Sequence, residues 1–314
     1  MTVNSCCRVK KQSEASWVRS ALYTLIFFFF LVMTAMNSEI CRSAVTSSAH
    51  FCISTVVPSI FPFMVLSDFL SSAISREKKE GLLSRLFGIP SSLIGPLIVG
   101  NLCGFPIGVK AAAGLYDSGQ ITKCELEGSI GLMNNPSAPF VISAVGAGIY
   151  GAASEGILLY SALLLSTLIT GLIFRSKRSK NQISRNNIEQ KFNISESIKN
   201  AGLASVAVCS YIIFFSYLGA IISLLIKNKY LVAVVCALTE VGGGVRLIGA
   251  LSLPRVAALP LTALALGFSG VSVHLQAFGL LPKDVSKKRY FAMKICEGGV
   301  AIALTLLFCL VTQP

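Results

Sequence analysis

Long apolar runs separated by short polar segments dominate this sequence. The runs extend over residues 18–36, 44–74, 90–116, 128–150, 157–174, 201–226, 231–253, 256–281 and 291–311. About 20 apolar residues in a helix cross the hydrocarbon core of a bilayer, which is roughly 30 Å thick. The pattern therefore predicts an all-α polytopic membrane protein, in contact with the lipid bilayer.

Several of these runs contain residues that interrupt helices. The run 44–74 carries Pro58 and Pro62, and proline removes a backbone donor and kinks a helix. The run 90–116 is rich in Gly and Pro at its centre, which leaves two arms of about 10 to 12 residues, each reaching only halfway across the core. We predict a broken helix at 44–74. The other predicted interruptions are re-entrant hairpins at 90–116 and 231–253, and helix breaks at 134–139 and 267–270.

The order of predicted elements occurs twice along the chain, as helix, Gly-rich hairpin, broken helix and helix. This repetition predicts four parts: a tail with the first transmembrane helix (1–43), a first repeat (44–174), a basic cytoplasmic linker (175–193) and a second repeat (194–314). Seven full crossings and two re-entrant hairpins then give the two repeats opposite orientations in the membrane. Inverted repeats of this kind are typical of secondary transporters, whose interrupted segments meet around a substrate site.

The distribution of basic residues supports this orientation. Of 27 Lys and Arg residues, most lie in the N-terminal tail, the loop 76–85, the turn at Lys123, the linker and the stretch 283–294. The positive-inside rule places these segments on the cytoplasmic side and the C-terminus outside. The basic residues that this arrangement leaves outside are Arg42, Lys227, Lys229 and Arg255. Because the charges lie between apolar runs, the net charge of +13 does not indicate nucleic-acid binding.

The remaining composition argues against catalysis. Charged residues make up 13% of the chain, which leaves little polar surface for a catalytic domain outside the membrane. No metalloprotease, nucleophile-elbow or Walker motif is present, and the two His and ten Cys residues show no metal or haem spacing. We therefore expect a protein that is not an enzyme and has no cofactor or metal site.

Polar and charged residues at membrane depth are the candidate functional residues. A charge at a helix centre costs about 2.5 to 3.5 kcal/mol, so it must face a cavity, form a pair or reach the interface. Glu240 is a candidate contact for a cationic or hydrogen-bonding ligand, balanced by Lys110 and Arg246; alternatively, the two basic residues reach the interface and Glu240 forms a structural pair. Amides and hydroxyls at the breaks either satisfy the freed backbone groups or contact a ligand. The predicted substrate-binding residues are Asn101, Lys110, Asn134, Asn135, Ser137, Glu240, Arg246, Ser269 and Gln276.

Four segments carry a resemblance to a known family. They are 58–63 (PSIFPF), 103–110 (CGFPIGVK), 132–140 (LMNNPSAPF) and 267–276 (GFSGVSVHLQ). Together they resemble the bacterial sporulation integral membrane proteins of the YlbJ type, within the wider nucleoside-recognition or Gate domain group, over residues 44–312. The resemblance implies Gate-like repeats and a multi-pass protein of the bacterial inner or cytoplasmic membrane. It also implies a role in endospore formation and movement of a small polar solute, either nucleoside-like or an ion. It also allows a homo-oligomer, and it leaves open a non-transporting membrane factor that binds a partner during spore envelope assembly.

Overall fold

A computed structural model describes residues 3–74, 81–175 and 193–312, and all regular secondary structure in these ranges is helical. In the first half, the helices are α1 (Val3–Met36), α2 (Ser38–Phe51), α3 (Val57–Ile74), α4 (Leu82–Phe87), α5 (Ile94–Leu102), α6 (Ile107–Asp117), α7 (Lys123–Glu127), α8 (Gly148–Tyr150) and α9 (Ala153–Ile173). In the second half, they are α10 (Ile194–Leu225), α11 (Lys229–Thr239), α12 (Val241–Gly249), α13 (Arg255–Phe268), α14 (Gly270–Leu280) and α15 (Lys288–Val311). The all-α fold predicted from the sequence is confirmed.

Fewer helices qualify as complete membrane spans than the seven crossings predicted. Within the described ranges, five are long and apolar enough, and a sixth is counted if the pair α2 and α3, bent by 45°, forms one span. The five are Trp17–Met36, Ala153–Ile173, Ile194–Leu225, Arg255–Leu280 and Lys288–Val311. The predicted crossing at 128–150 does not qualify, because its helical turns are divided into pieces that are each too short.

The first hairpin consists of α5 and α6, which pack against each other. Helices of 9 and 11 residues reach about 14 and 17 Å, well short of a 30 Å core. The arms meet at Gly104, whose φ of 90° is a conformation that glycine adopts without strain. Gly108 lies where the arms approach the following segment: a Cβ added there would come within 2.4 Å of the Met133 carbonyl oxygen. A short, tightly packed helical hairpin therefore stands where the sequence predicts one.

The second hairpin, α11 and α12, has arms of 11 and 9 residues. Its turn is shorter than that of the first hairpin, because Glu240 alone separates the two helices. The lengths and the close packing of the arms again match the predicted hairpin. Placement of both hairpins relative to the membrane stays a prediction.

The two predicted helix breaks differ in extent. In the first half, 3₁₀ turns at Ile130–Met133 are followed by non-helical residues 134–137 and a π-helical segment, Phe140–Ala147, that continues into α8. Pro136 and Pro139 explain this wide break, because neither donates a backbone hydrogen bond. In the second half, only Ser269, with a φ of 79°, separates α13 from α14, and the two helices together form a single span.

Contacts between loops on one face of the bundle agree with the predicted orientation. The Lys123 ammonium lies 3.3 Å from the Asp284 carboxylate, which lowers the pKa of Asp284 by a charge-assisted hydrogen bond. Arg289 at the start of α15 donates to the Phe174 carbonyl oxygen at the end of α9. These segments are ones that the charge distribution places together on the cytoplasmic side.

A separate set of contacts joins the segments predicted outside. Arg255 forms a bidentate ion pair with Glu155, with nitrogen–oxygen distances of 2.7 and 3.0 Å. Its guanidinium also donates a 3.3 Å hydrogen bond to the Thr312 hydroxyl. The loops thus fall into the same two groups as the charges predict, although the side of the cell that each group faces stays a prediction. The predicted linker 175–193 lies outside the described residues except at its two ends, and the domain limits also stay a prediction.

The first helix packs less closely than the others. Most of the described side chains of α1 are exposed, including Trp17 and Phe27. Thr34 forms a 2.6 Å hydrogen bond to the Tyr217 hydroxyl of α10, and the Phe30 ring contacts the Tyr217 ring. The outward-facing apolar residues of α1 are suited to contact with lipid.

Candidate functional site

Both hairpin tips, the first helix break and helix α14 line one cavity. Its volume is about 50 Å³, which accommodates roughly three to five waters. The lining residues are Phe51, Thr55, Val56, Ile60, Cys103, Gly104, Phe105, Ser137, Phe140, Val208, Ile212, Glu240, Val241, Gly242, Ser272, Val273 and Gln276.

Both halves of the chain contribute to this cavity. The tips supply residues 103–105 and 240–242, the first break supplies Ser137 with Phe140 just after it, and α14, the helix that follows the second break, supplies Ser272 and Gln276. The helices that precede the hairpins contribute apolar side chains from both halves. This is the geometry expected when interrupted segments of two repeats meet.

Glu240 is the only charged residue among the described residues that line the cavity. It ends α11 and caps α12: its side-chain oxygens accept hydrogen bonds from the backbone N–H groups of Gly242, at 2.7 Å, and Gly243. Its carboxylate also lies at the positive end of the α12 dipole, which stabilises a negative charge. Glu240 is buried and holds the second hairpin tip in shape while lining the cavity.

Two buried side chains of α14 present polar atoms without a partner. Ser272 Oγ and Gln276 Oε1 have no hydrogen-bond partner among the described residues, and both residues line the cavity. A buried polar group without a partner typically costs about 1 to 3 kcal/mol, so these atoms are suited to receive a ligand or water. Ser137 differs, because its Oγ accepts a 3.3 Å hydrogen bond from the Phe140 backbone N–H.

A connected polar network lies beside the cavity at the first break. Asn135 Nδ2 donates to Asn101 Oδ1 at 2.8 Å and to Thr167 Oγ1 at 2.9 Å. Asn101 Nδ2 in turn donates to the carbonyl oxygens of Leu97 and Leu132, at 2.8 and 3.0 Å. The network therefore fastens the first hairpin to the broken helix, using carbonyl groups that a continuous helix would satisfy itself.

A buried ion pair from α15 completes this network. Lys294 Nζ lies 2.8 Å from Glu297 Oε2, and both side chains are fully buried. The same nitrogen donates to the Asn134 carbonyl oxygen at 2.9 Å and to Asn135 Oδ1 at 2.7 Å, while the Thr167 hydroxyl donates to the other Glu297 oxygen. Every proton of the Lys294 ammonium thus has an acceptor.

Aromatic side chains enclose the other end of the network. Asn134 Nδ2 donates to the Tyr290 hydroxyl at 2.7 Å, and that hydroxyl lies 2.8 Å from His274 Nδ1. His274 and Tyr290 also pack edge to face with Phe278 and Phe291 nearby. His274 therefore serves the packing of α14 on α15 through a contact that does not involve the cavity.

Six of the nine predicted site residues lie at the cavity or in the network beside it, and three lie elsewhere. Ser137, Glu240 and Gln276 line the cavity, and Asn101, Asn134 and Asn135 belong to the network beside it. Lys110 is half-buried on α6 and does not line the described cavity. Arg246 is exposed, and its guanidinium lies 4.8 Å from the centre of the Phe51 ring. Ser269 ends α13, with its hydroxyl donating to the Leu266 carbonyl oxygen.

Sequence reasoning missed the most buried charges. Lys294 was assigned to a cytoplasmic stretch, and Glu297 was not considered; the structure corrects this, because both lie inside the helical bundle. The signal was available, since opposite charges three residues apart in an apolar run share one helix face. Ser272 is one of the hydroxyl residues that the sequence places beside the second break, and the structure puts it in the lining of the cavity.

The fold and the site together define an all-α multi-pass protein of the cell membrane with interrupted helices around an internal cavity. Comparison with curated proteins finds the sporulation integral membrane protein YlbJ of Bacillus subtilis (strain 168), 25% identical over 329 aligned positions that cover 90% of this chain and 81% of that protein. The resemblance to the YlbJ-type family is thereby confirmed, and the chain is a homologue of a sporulation integral membrane protein. No protein-family model and no solved structure matches the chain, so membership of the Gate domain group stays a prediction.

Proposed function

We propose that this protein moves a small polar solute or ion across the membrane through the cavity between its hairpin tips, without transforming it chemically, and that it does so during endospore formation. The meeting of both hairpin tips, the first helix break and the helix after the second break at one cavity carries this proposal. Helix interruptions in a membrane are tolerated only within protein or along a water-filled cavity. The interruptions in this protein lie beside a cavity, and this placement supports a path for a solute.

The lining chemistry favours a solute that offers hydrogen-bond donors or positive charge. Glu240 contributes a carboxylate, and Gln276 contributes an amide oxygen without a described partner. At about 50 Å³ the cavity in this conformation suits an ion or a solute of a few heavy atoms. A nucleoside-like solute requires the hairpin tips to move apart.

The relative's role in sporulation supports the proposed setting, since YlbJ is named for it. The alternative is a membrane factor that retains the fold but binds a partner during spore envelope assembly. In that case the few polar side chains of the lining have no solute to contact, and the order of residues in the basic linker matters instead.

An untargeted comparison of solutes in sporulating cells tests the proposal. Cells that carry the protein should differ from deletion cells in at least one solute, and Glu240→Gln should remove that difference because the charge facing the cavity is lost. Glu155→Gln is the matched control: it removes a carboxylate from the Arg255 pair, away from the cavity, and should keep the wild-type profile.

A linker variant, compared with Glu240→Gln, distinguishes the partner-binding factor from solute movement. Scrambling the order of residues 177–190 at constant charge should be tolerated if the linker only determines topology. No solute difference, combined with a sporulation defect in the scrambled variant and none in Glu240→Gln, would overturn solute movement and favour the partner-binding factor.

A further inference from the structure

The Lys294 ammonium lies in a shell of oxygen atoms. The Asn134 carbonyl oxygen is 2.9 Å away, Asn135 Oδ1 is 2.7 Å away and Glu297 Oε2 is 2.8 Å away. A backbone carbonyl, an amide and a carboxylate are the oxygen types that bind hard cations in proteins. The first break is thus built around a positive charge, which a four-carbon side chain of α15 delivers.

The oxygens at this point require a cation. The Asn134 carbonyl lies in the non-helical segment, so no helical N–H reaches it in the usual way. The Glu297 carboxylate is fully buried, and removing the partner of a buried charge is strongly destabilising. Its second oxygen is already engaged by the Thr167 hydroxyl, so this hydroxyl cannot compensate for a lost ammonium.

We propose that Lys294 acts as a built-in cation of the first break, and that its truncation exposes a binding site for a small alkylammonium ion. The wild-type protein accordingly needs no dissolved cation at this position. The inference concerns what holds the break together and does not depend on movement of a solute through the cavity.

The part of the Lys294 side chain that truncation removes defines the ligand that fits the site. Lys294→Ala keeps Cβ and deletes three methylene groups with their ammonium, which together correspond to n-propylammonium. That ion can donate three hydrogen bonds to the oxygen shell, whereas tetramethylammonium has the same charge and no N–H donor.

The experiment measures the melting temperature of the purified full-length protein in detergent. Lys294→Ala should lower it by roughly 6 to 20 °C, and 100 mM n-propylammonium chloride should restore at least half of this loss. Tetramethylammonium chloride at the same concentration should restore none of it. Lys288→Ala, which truncates an exposed lysine of the same helix, should melt like the wild type in all three solutions.

A double variant shows whether the carboxylate attracts the ion. Lys294→Ala with Glu297→Gln keeps the space but removes the negative charge, so n-propylammonium should no longer raise its melting temperature. If Lys294→Ala accumulates poorly, n-propylammonium present during expression and solubilisation should recover it.

Each contrary result overturns the proposal. An unchanged melting temperature of Lys294→Ala would mean that the ammonium does not hold the break. Equal effects of the two ions, equal rescue of the single and double variants, or no recovery of a poorly accumulating variant would mean that no cation site exists there.

Discussion

Truncation of Asn135 should destabilise the protein, because this side chain joins three elements. Its amide nitrogen donates to Asn101 Oδ1 at 2.8 Å, and its amide oxygen accepts from Lys294 Nζ at 2.7 Å. Asn135→Ala leaves one buried amide oxygen without a donor, at about 1 to 3 kcal/mol, and removes a hydrogen bond to a charged group, at about 1.5 to 3 kcal/mol. The expected loss is therefore about 2.5 to 6 kcal/mol, or roughly 5 to 24 °C in melting temperature at 2 to 4 °C per kcal/mol.

The assay is thermal unfolding of purified protein, followed by circular dichroism. Asn228→Ala is the matched control, because Asn228 is exposed and caps α11 through hydrogen bonds to Tyr230 and Leu231 of 3.0 and 3.2 Å. Loss of that cap costs about 1 kcal/mol, or roughly 2 to 4 °C. If Asn135→Ala melts no lower than Asn228→Ala, the network does not support the break and the reasoning is refuted.

Two further predictions concern the first hairpin and the orientation of the chain. Gly108→Ala places a Cβ 2.4 Å from the Met133 carbonyl oxygen and should lower the unfolding free energy by about 1 to 3 kcal/mol in denaturant titrations. Gly114→Ala, on the same helix with open space around it, should be neutral or stabilising. Equal effects of the two variants would contradict the close packing of the tip. Reporter fusions at residues 185 and 314 should lie on opposite sides of the membrane, and the same side for both would contradict the predicted topology.

The hairpins and breaks were predictable because Gly and Pro act locally. A sequence such as Asn134-Asn135-Pro136 in an apolar run disfavours a continuous helix, because proline removes a backbone donor and its ring clashes with the preceding turn. The length of the arms follows from the same residues. The difference between the breaks was not predictable, since a single left-handed residue, Ser269, leaves two helices aligned, whereas two prolines separate them.

The site was predictable only in part, because a sequence indicates that a polar group is buried but not which groups meet. Glu240 and Gln276 line the cavity, whereas Arg246 lies over the face of the Phe51 ring and is not a lining residue. The distribution of basic residues groups Lys294 with the cytoplasmic stretch 283–294, whereas the structure places it within α15. Its partners Asn134 and Asn135 are 160 and 159 residues away in the chain, and only the fold brings them together.

The most direct test of the central claim fills the cavity without breaking a described hydrogen bond. Ser272→Val adds apolar volume at a lining residue whose hydroxyl has no partner in the described structure, and Ser216→Val makes the same change at a hydroxyl of α10 that is equally without a partner and away from the lining. Untargeted solute profiles of sporulating cells should show that Ser272→Val, at normal abundance, resembles the deletion, whereas Ser216→Val resembles the wild type. Wild-type profiles in both variants would contradict the claim that the solute occupies this cavity.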